Sequence, residues 1–177
     1  MAFEILPFAL AFVSGIFVKA VDWLEDTVKS KSSVRYLFAI IYGLLIGYII
    51  SSASFSAIFL AALLAQVFAR KIDTRAHELG FIVAILSALL LGLPPLDLPI
   101  LAFFLVLGFL DEVDYVGKLR PLTDYRPFLK VGSLLLIAIG RWDYFAGIII
   151  FDIAYEGISI VLPRAEGKKQ ASRAKTR

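Results

Sequence analysis

Lys19, Asp22 and Asp26 follow one another at intervals of three and four residues, and Asp111, Asp114 and Lys118 repeat those intervals. On a helix this spacing sets all three side chains on one face. Carboxylates presented several at a time are hard oxygen ligands. They suit Mg²⁺, which keeps part of its water shell and bridges to substrate phosphates. Asp22, Asp26, Asp111 and Asp114 are therefore the candidate metal ligands, with Asp22, Asp114 and Asp111 as candidate catalytic carboxylates. Arg35, Arg126 and Lys19 are candidates for holding phosphate, the arginines in bidentate fashion. The expected chemistry is Mg²⁺-dependent handling or transfer of a phosphorylated lipid or isoprenoid. For each charge the plain alternative is a solvated helix end, where opposite charges pair at the surface with little energetic weight.

Asp152 and Glu156 stand in a different setting, "FAGIIIFDIAYEGISIVL". Counting from Tyr144 to Leu162 puts Asp152 near the middle of an apolar run. A carboxylate at the centre of a bilayer costs about 2.5–3.5 kcal/mol on insertion scales, so it is expected to face neighbouring helices and find a partner there. Lys19, Tyr42 and Ser14 are the candidates. This intramembrane pair supports a second reading, a small transporter or channel. A non-catalytic membrane scaffold is the third. His77 is the chain's single histidine and lies in the polar stretch "RKIDTRAHELG". It is expected at the surface, since no second histidine completes a metal set. No hydrolase triad, zinc signature, P-loop, dinucleotide fingerprint or nucleic-acid module is present.

The elements that carry these residues are apolar helices. Sixty per cent of the residues are hydrophobic and the mean hydropathy is +0.85, more than a small soluble core can hide. The apolar residues come in long runs without strand-like alternation, which predicts an all-α integral membrane protein rather than a β-barrel. Seven segments are marked: Phe3–Leu24, Tyr36–Ile50, Phe55–Ala69, Leu79–Leu93, Pro99–Leu110, Phe128–Ile139 and Tyr144–Leu162. The fifth is expected to continue through Asp114. Residues 1–163 form one polytopic domain, and 164–177 a basic cytoplasmic tail without fixed structure. The first segment lacks a basic leader and a small-x-small cleavage site, so it is expected to stay. Cysteine and asparagine are absent and methionine occurs once, a composition that suggests a thermophilic prokaryote.

Lys and Arg alternate strictly between connections. The first (Lys29, Lys31, Arg35), third (Arg70, Lys71, Arg75) and fifth (Lys118, Arg120, Arg126) are rich in them, as is the tail. The second and fourth have none, and the sixth has only Arg141. By the positive-inside rule the N-terminus lies outside the cell membrane and the C-terminus in the cytoplasm, with all the clustered carboxylates at the inner face. "VDWLEDTVKSKSSVRYLF" from Val21 and "VDYVGKLRPLTDYRPFL" from Val113 share an Asp-aromatic pair and an arginine that opens the next apolar segment. They suggest a parallel repeat of helices one to three in helices five to seven. Such a 3+1+3 order resembles the SWEET sugar carriers and the KDEL receptors in segment count. The acidity of "DWLED" and "DEVDYVG" is similar to that of the Asp-rich motifs of intramembrane prenyltransferases of the UbiA type, without their Asn-containing pattern.

Overall fold

The computed structural model describes residues 5–27 and 32–162, and no strand occurs among them. Its helices are α1 (Ile5–Thr27), α2 (Val34–Ser52), α3 (Ser56–Phe68), α4 (Arg75–Leu91), α5 (Leu98–Asp111), α6 (Arg120–Tyr125), α7 (Pro127–Leu135) and α8 (Trp142–Val161). A 3₁₀ turn over Gly117–Leu119 leads into α6, and another over Leu136–Ile139 prolongs α7. Each of the seven apolar segments is helical. The basic tail, Lys29 and Lys31 lie outside the described residues. Among the described residues α1, over Ile5–Asp26, α2 and α8 are long and apolar enough to cross a membrane; α3, α5 and Pro127–Ile139 are shorter apolar helices.

Local chemistry explains the helix ends. Thr74 caps α4 by accepting a hydrogen bond from the His77 N–H at 3.3 Å, and Asp97 caps α5 through the Ile100 N–H at 3.2 Å. Gly140, at φ +80°, turns the chain between the 3₁₀ stretch and α8. The fifth segment does not continue to Asp114. It ends at Asp111, because Asp111 and Glu112 are both drawn to the start of α7, as described below.

The helices pack as a ring in the order α2, α1, α8, α7, α5, α3 and back to α2, with α4 laid against α2. Exchanging α1 with α5, α2 with α7 and α8 with α3 maps this ring onto itself. Paired details follow the exchange. Gly15 of α1 lets α8 approach until its Cβ position meets the Phe151 carbonyl and the Ala154 Cβ at 3.1 Å; Gly108 of α5 meets the Ala65 Cβ of α3 at 3.0 Å. Phe8 of α1 lies 4.8 Å from Phe55 at the head of α3, and Phe104 of α5 lies 5.1 Å from Tyr144 at the head of α8. Arg35 pairs with Glu25 at 2.9 Å between α1 and α2; Arg126 pairs with Glu112 at 3.2 Å between α5 and α7. Across the middle, Phe59 and Phe151 meet edge to face at 5.8 Å. Phe55 and Phe104 are wholly buried there, and truncating either to Ala costs about 3–5 kcal/mol.

The polar contacts sort the helix ends into two groups. At one end Glu25–Arg35, Asp22–His77, Lys71–Asp114 and Glu112–Arg126 tie the connections together. At the other, Arg141 donates to the Ser54 carbonyl at 2.9 Å and pairs with Asp143 at 3.2 Å. The basic connections share the first end.

Candidate functional site

Four helices bring their side chains to one polar chain at the basic end. His77 stands in the first turn of α4, where the Thr74 cap fixes the backbone. Its Nε2 is 2.8 Å from Asp22 Oδ1 on α1, and its Nδ1 is 3.1 Å from the Tyr42 hydroxyl on α2. The second Asp22 oxygen, Oδ2, accepts a hydrogen bond from the Tyr155 hydroxyl of α8. Lys19, one turn before Asp22, places Nζ 4.3 Å from the centre of the Tyr155 ring, a cation–π contact. Two glycines make room for this. Gly15 lets α8 close on α1, so that Tyr155 reaches Asp22; Gly80 leaves space that the Tyr42 ring and hydroxyl fill, and a methyl group there would collide with both.

The donors and acceptors balance with one assignment. Tyr42 donates to Nδ1, Nε2–H donates to an ionised Asp22, and Tyr155 donates to the other carboxylate oxygen. The imidazole is then neutral, with its proton on Nε2. A second proton would convert Nδ1 from acceptor to donor and force the Tyr42 hydroxyl to release its own hydrogen elsewhere. Tyr42, His77 and Gln66 line a cavity of about 90 Å³ among apolar neighbours such as Val18, Phe59 and Phe151. That volume exceeds what one water needs. The arrangement can therefore pass a change of protonation at His77 into a change of hydrogen bonding in the cavity.

The carboxylates expected to gather at one metal do not gather. Asp22 belongs to the histidine chain. Asp111, 3 % exposed, accepts hydrogen bonds at 2.8 Å from both the Phe128 and the Leu129 N–H and so caps α7 from the end of α5. Asp114 pairs with Lys71 at 2.7 Å, and its side chain is 74 % exposed. Asp26 lies one turn beyond Asp22 and is exposed. Among the described residues no three His, Cys, Asp or Glu side chains stand close enough to share a metal. Nor do the expected cations meet a common anion: Arg35 is held by Glu25 and by the Tyr36 hydroxyl at 3.2 Å, and Arg126 by Glu112. Burial pushes the Glu112 carboxyl above the usual carboxylate range, against the pull of the Arg126 guanidinium.

Asp152 has a partner on another helix, but not one of those expected. Lys130 of α7 reaches it at 2.9 Å. Lys19 is engaged at Tyr155, and Ser14 donates to its own helix at Ala11. Asp152 is the eleventh of the twenty residues of α8. Lys130 and Asp152 each lie eleven residues from the Arg141 turn, so the pair sits at the end of the short α7, three residues from its start at Pro127. Glu156, one turn on, is exposed.

Comparison with family models, curated proteins and solved structures finds no match for this chain. The site must therefore speak through its own residues. The roles of three of them are not legible in the sequence. His77 was placed at the surface for want of a second histidine, yet it needed a carboxylate and a hydroxyl rather than a metal. Tyr42 and Tyr155 sit in apolar runs and carry no spacing signal. Shared depth was available: Asp22 closes the first apolar segment and His77 opens the fourth, both at the basic end.

Proposed function

We propose that the chain is a multi-pass membrane protein of seven helical crossings, N-terminus outside and C-terminus in the cytoplasm, and that it is a small transporter which moves protons. The ring with its exchangeable pairs supports a 3+1+3 repeat in which α4 is the linker. The Lys/Arg alternation, gathered at one end of the bundle, supports the orientation. One observation carries the activity: His77 is clamped between Asp22 and Tyr42 at the wall of a small cavity. Ionisable groups between membrane helices, each paired with another, are the usual parts of a proton relay. Mg²⁺-dependent transfer of a phosphorylated lipid draws less support, because Asp111 and Asp114 are engaged apart from Asp22.

Proteoliposomes holding a pH-sensitive dye test this reading. Under a potassium diffusion potential the internal pH should change faster with protein than in empty vesicles, and His77→Gln should remove the difference. Vesicles with protein that stay as tight as empty ones would sink the activity. Topology is tested separately in this cysteine-free chain. Cysteines placed at Ser52 and Lys118 should be labelled from opposite sides of the membrane.

A further inference from the structure

The segment between α5 and α7 is tied down at both ends and exposed in the middle. Lys71 holds Asp114, Glu112 holds Arg126, and the Thr123 hydroxyl accepts the Tyr115 N–H at 2.7 Å. Between these anchors the chain turns outward. Val116 is 84 % exposed and Leu119 56 %, and Tyr125, just beyond, is 71 % exposed. Gly117 takes φ +63°, which lets the 3₁₀ turn start directly after Val116. Lys118 and Arg120 flank Leu119, and no acidic residue occurs between Tyr115 and Thr123. A loop held by polar contacts that still presents bulky apolar side chains beside cations has the composition of an interfacial anchor: apolar groups enter the acyl boundary while the cations meet headgroups.

We propose that the tip over Val116–Leu122 is a binding wedge for anionic lipid headgroups of the inner leaflet. Val116 and Leu119 enter the acyl boundary, and Lys118 and Arg120 take the lipid phosphates. The charge of the tip selects the occupant, since a cation near an anionic leaflet gains about 1 kcal/mol while a zwitterionic surface offers little. The wedge rests on the membrane reading above, and the experiment separates the two.

An environment-sensitive dye is attached to Val116→Cys in the full chain, and a control dye to Leu90→Cys on the exposed side of α4. Both proteins are placed in nanodiscs of phosphatidylcholine, with or without phosphatidylglycerol. The Leu90 dye should report lipid in both. The Val116 dye should shift to the blue only with phosphatidylglycerol. Titrating short-chain phosphatidylglycerol into the detergent-solubilised protein should then show a roughly thirtyfold weaker midpoint for the Lys118→Gln/Arg120→Gln variant, from two cations at about 1 kcal/mol each. Equal shifts in both lipids, or an unchanged midpoint in the variant, would overturn the choice of anionic headgroups. No shift at Val116 while Leu90 reports lipid would overturn the wedge alone. A Leu90 dye that reports water would overturn the membrane reading and the wedge with it.

Discussion

The basic ends of the two ring halves use the same parts for different purposes. In both, the helix entering the basic end carries a glutamate that holds the arginine opening the next helix: Glu25 with Arg35, Glu112 with Arg126. In both, a second carboxylate, an aspartate, lies nearby. In the first half Asp22 turns sideways to His77 and Tyr155, side chains from α4 and α8. In the second half Asp111 turns forward to the backbone of α7. The difference follows from what each carboxylate faces. α2 begins with its own turn and leaves Asp22 to side-chain partners; α7 begins straight after the left-handed Arg126 and draws in Asp111 as its cap. A carboxylate bonded to titratable groups can take part in proton traffic, while one bonded to two backbone N–H groups is a fixed part of the frame.

Substitutions break or sharpen this contrast. The largest effect is expected from Asp22→Asn, which keeps the shape but cannot accept from both His77 and Tyr155 as a carboxylate does. Proton flux into vesicles should fall to the empty-vesicle level while the thermal midpoint in detergent moves little. Asp111→Ala should do the reverse. Losing two charge-assisted bonds and leaving helix N–H groups unpaired should cost about 3 kcal/mol, read from thermal unfolding in detergent, with Asp111→Asn recovering part of it. Equal flux defects in the Asp22 and Asp111 variants would erase the contrast.

The arginine pairs grade the comparison further. Arg35 and Glu25 are 11 % and 18 % exposed at their side chains, whereas Arg126 is 52 % exposed. Arg35→Gln and Arg126→Gln each strand a carboxylate, 18 % exposed at Glu25 and 7 % at Glu112, and each should cost about 2 kcal/mol, read from thermal unfolding in detergent. A much smaller loss at Arg126 would mean that Glu112, whose carboxyl is already pushed up by burial, takes a proton once the guanidinium is gone. Smallest of all is Asp114→Asn, expected within about 0.5 kcal/mol of the parent because its pair with Lys71 is exposed.

Much of the frame was legible in the amino-acid order. Runs such as "LFAIIYGLLIGYII" and "FAGIIIFDIAYEGISIVL" exceed what strands use, and Pro99 and Thr74 mark helix starts by plain capping chemistry. The likeness of the Val21 and Val113 stretches drew attention to two helix ends whose arginines are paired in the structure, although the arginines bind Glu25 and Glu112 rather than the aspartates that carried the likeness. The site was less legible, because its chemistry depends on rotation about helix axes. Asp22 and Asp114 share a spacing, yet Asp22 lies on a continuing helix while Asp114 falls three residues past the end of α5 and loses any common face. Tyr42 and Tyr155 become polar partners only because Gly80 and Gly15 bring helices together, a distance that spacing along one helix cannot encode.

The trans cap on α7 bears on how the chain is assembled. α7 is nine residues long, and a helix so short is unstable alone. Its first N–H groups find acceptors on Asp111, a residue synthesised sixteen positions before Pro127. Asp111 is thus made before the helix it caps, and α8, which closes the ring against α1, is made last of the ring helices. Each late helix is therefore made when the helix it packs against, α5 for α7 and α1 for α8, already exists in the chain.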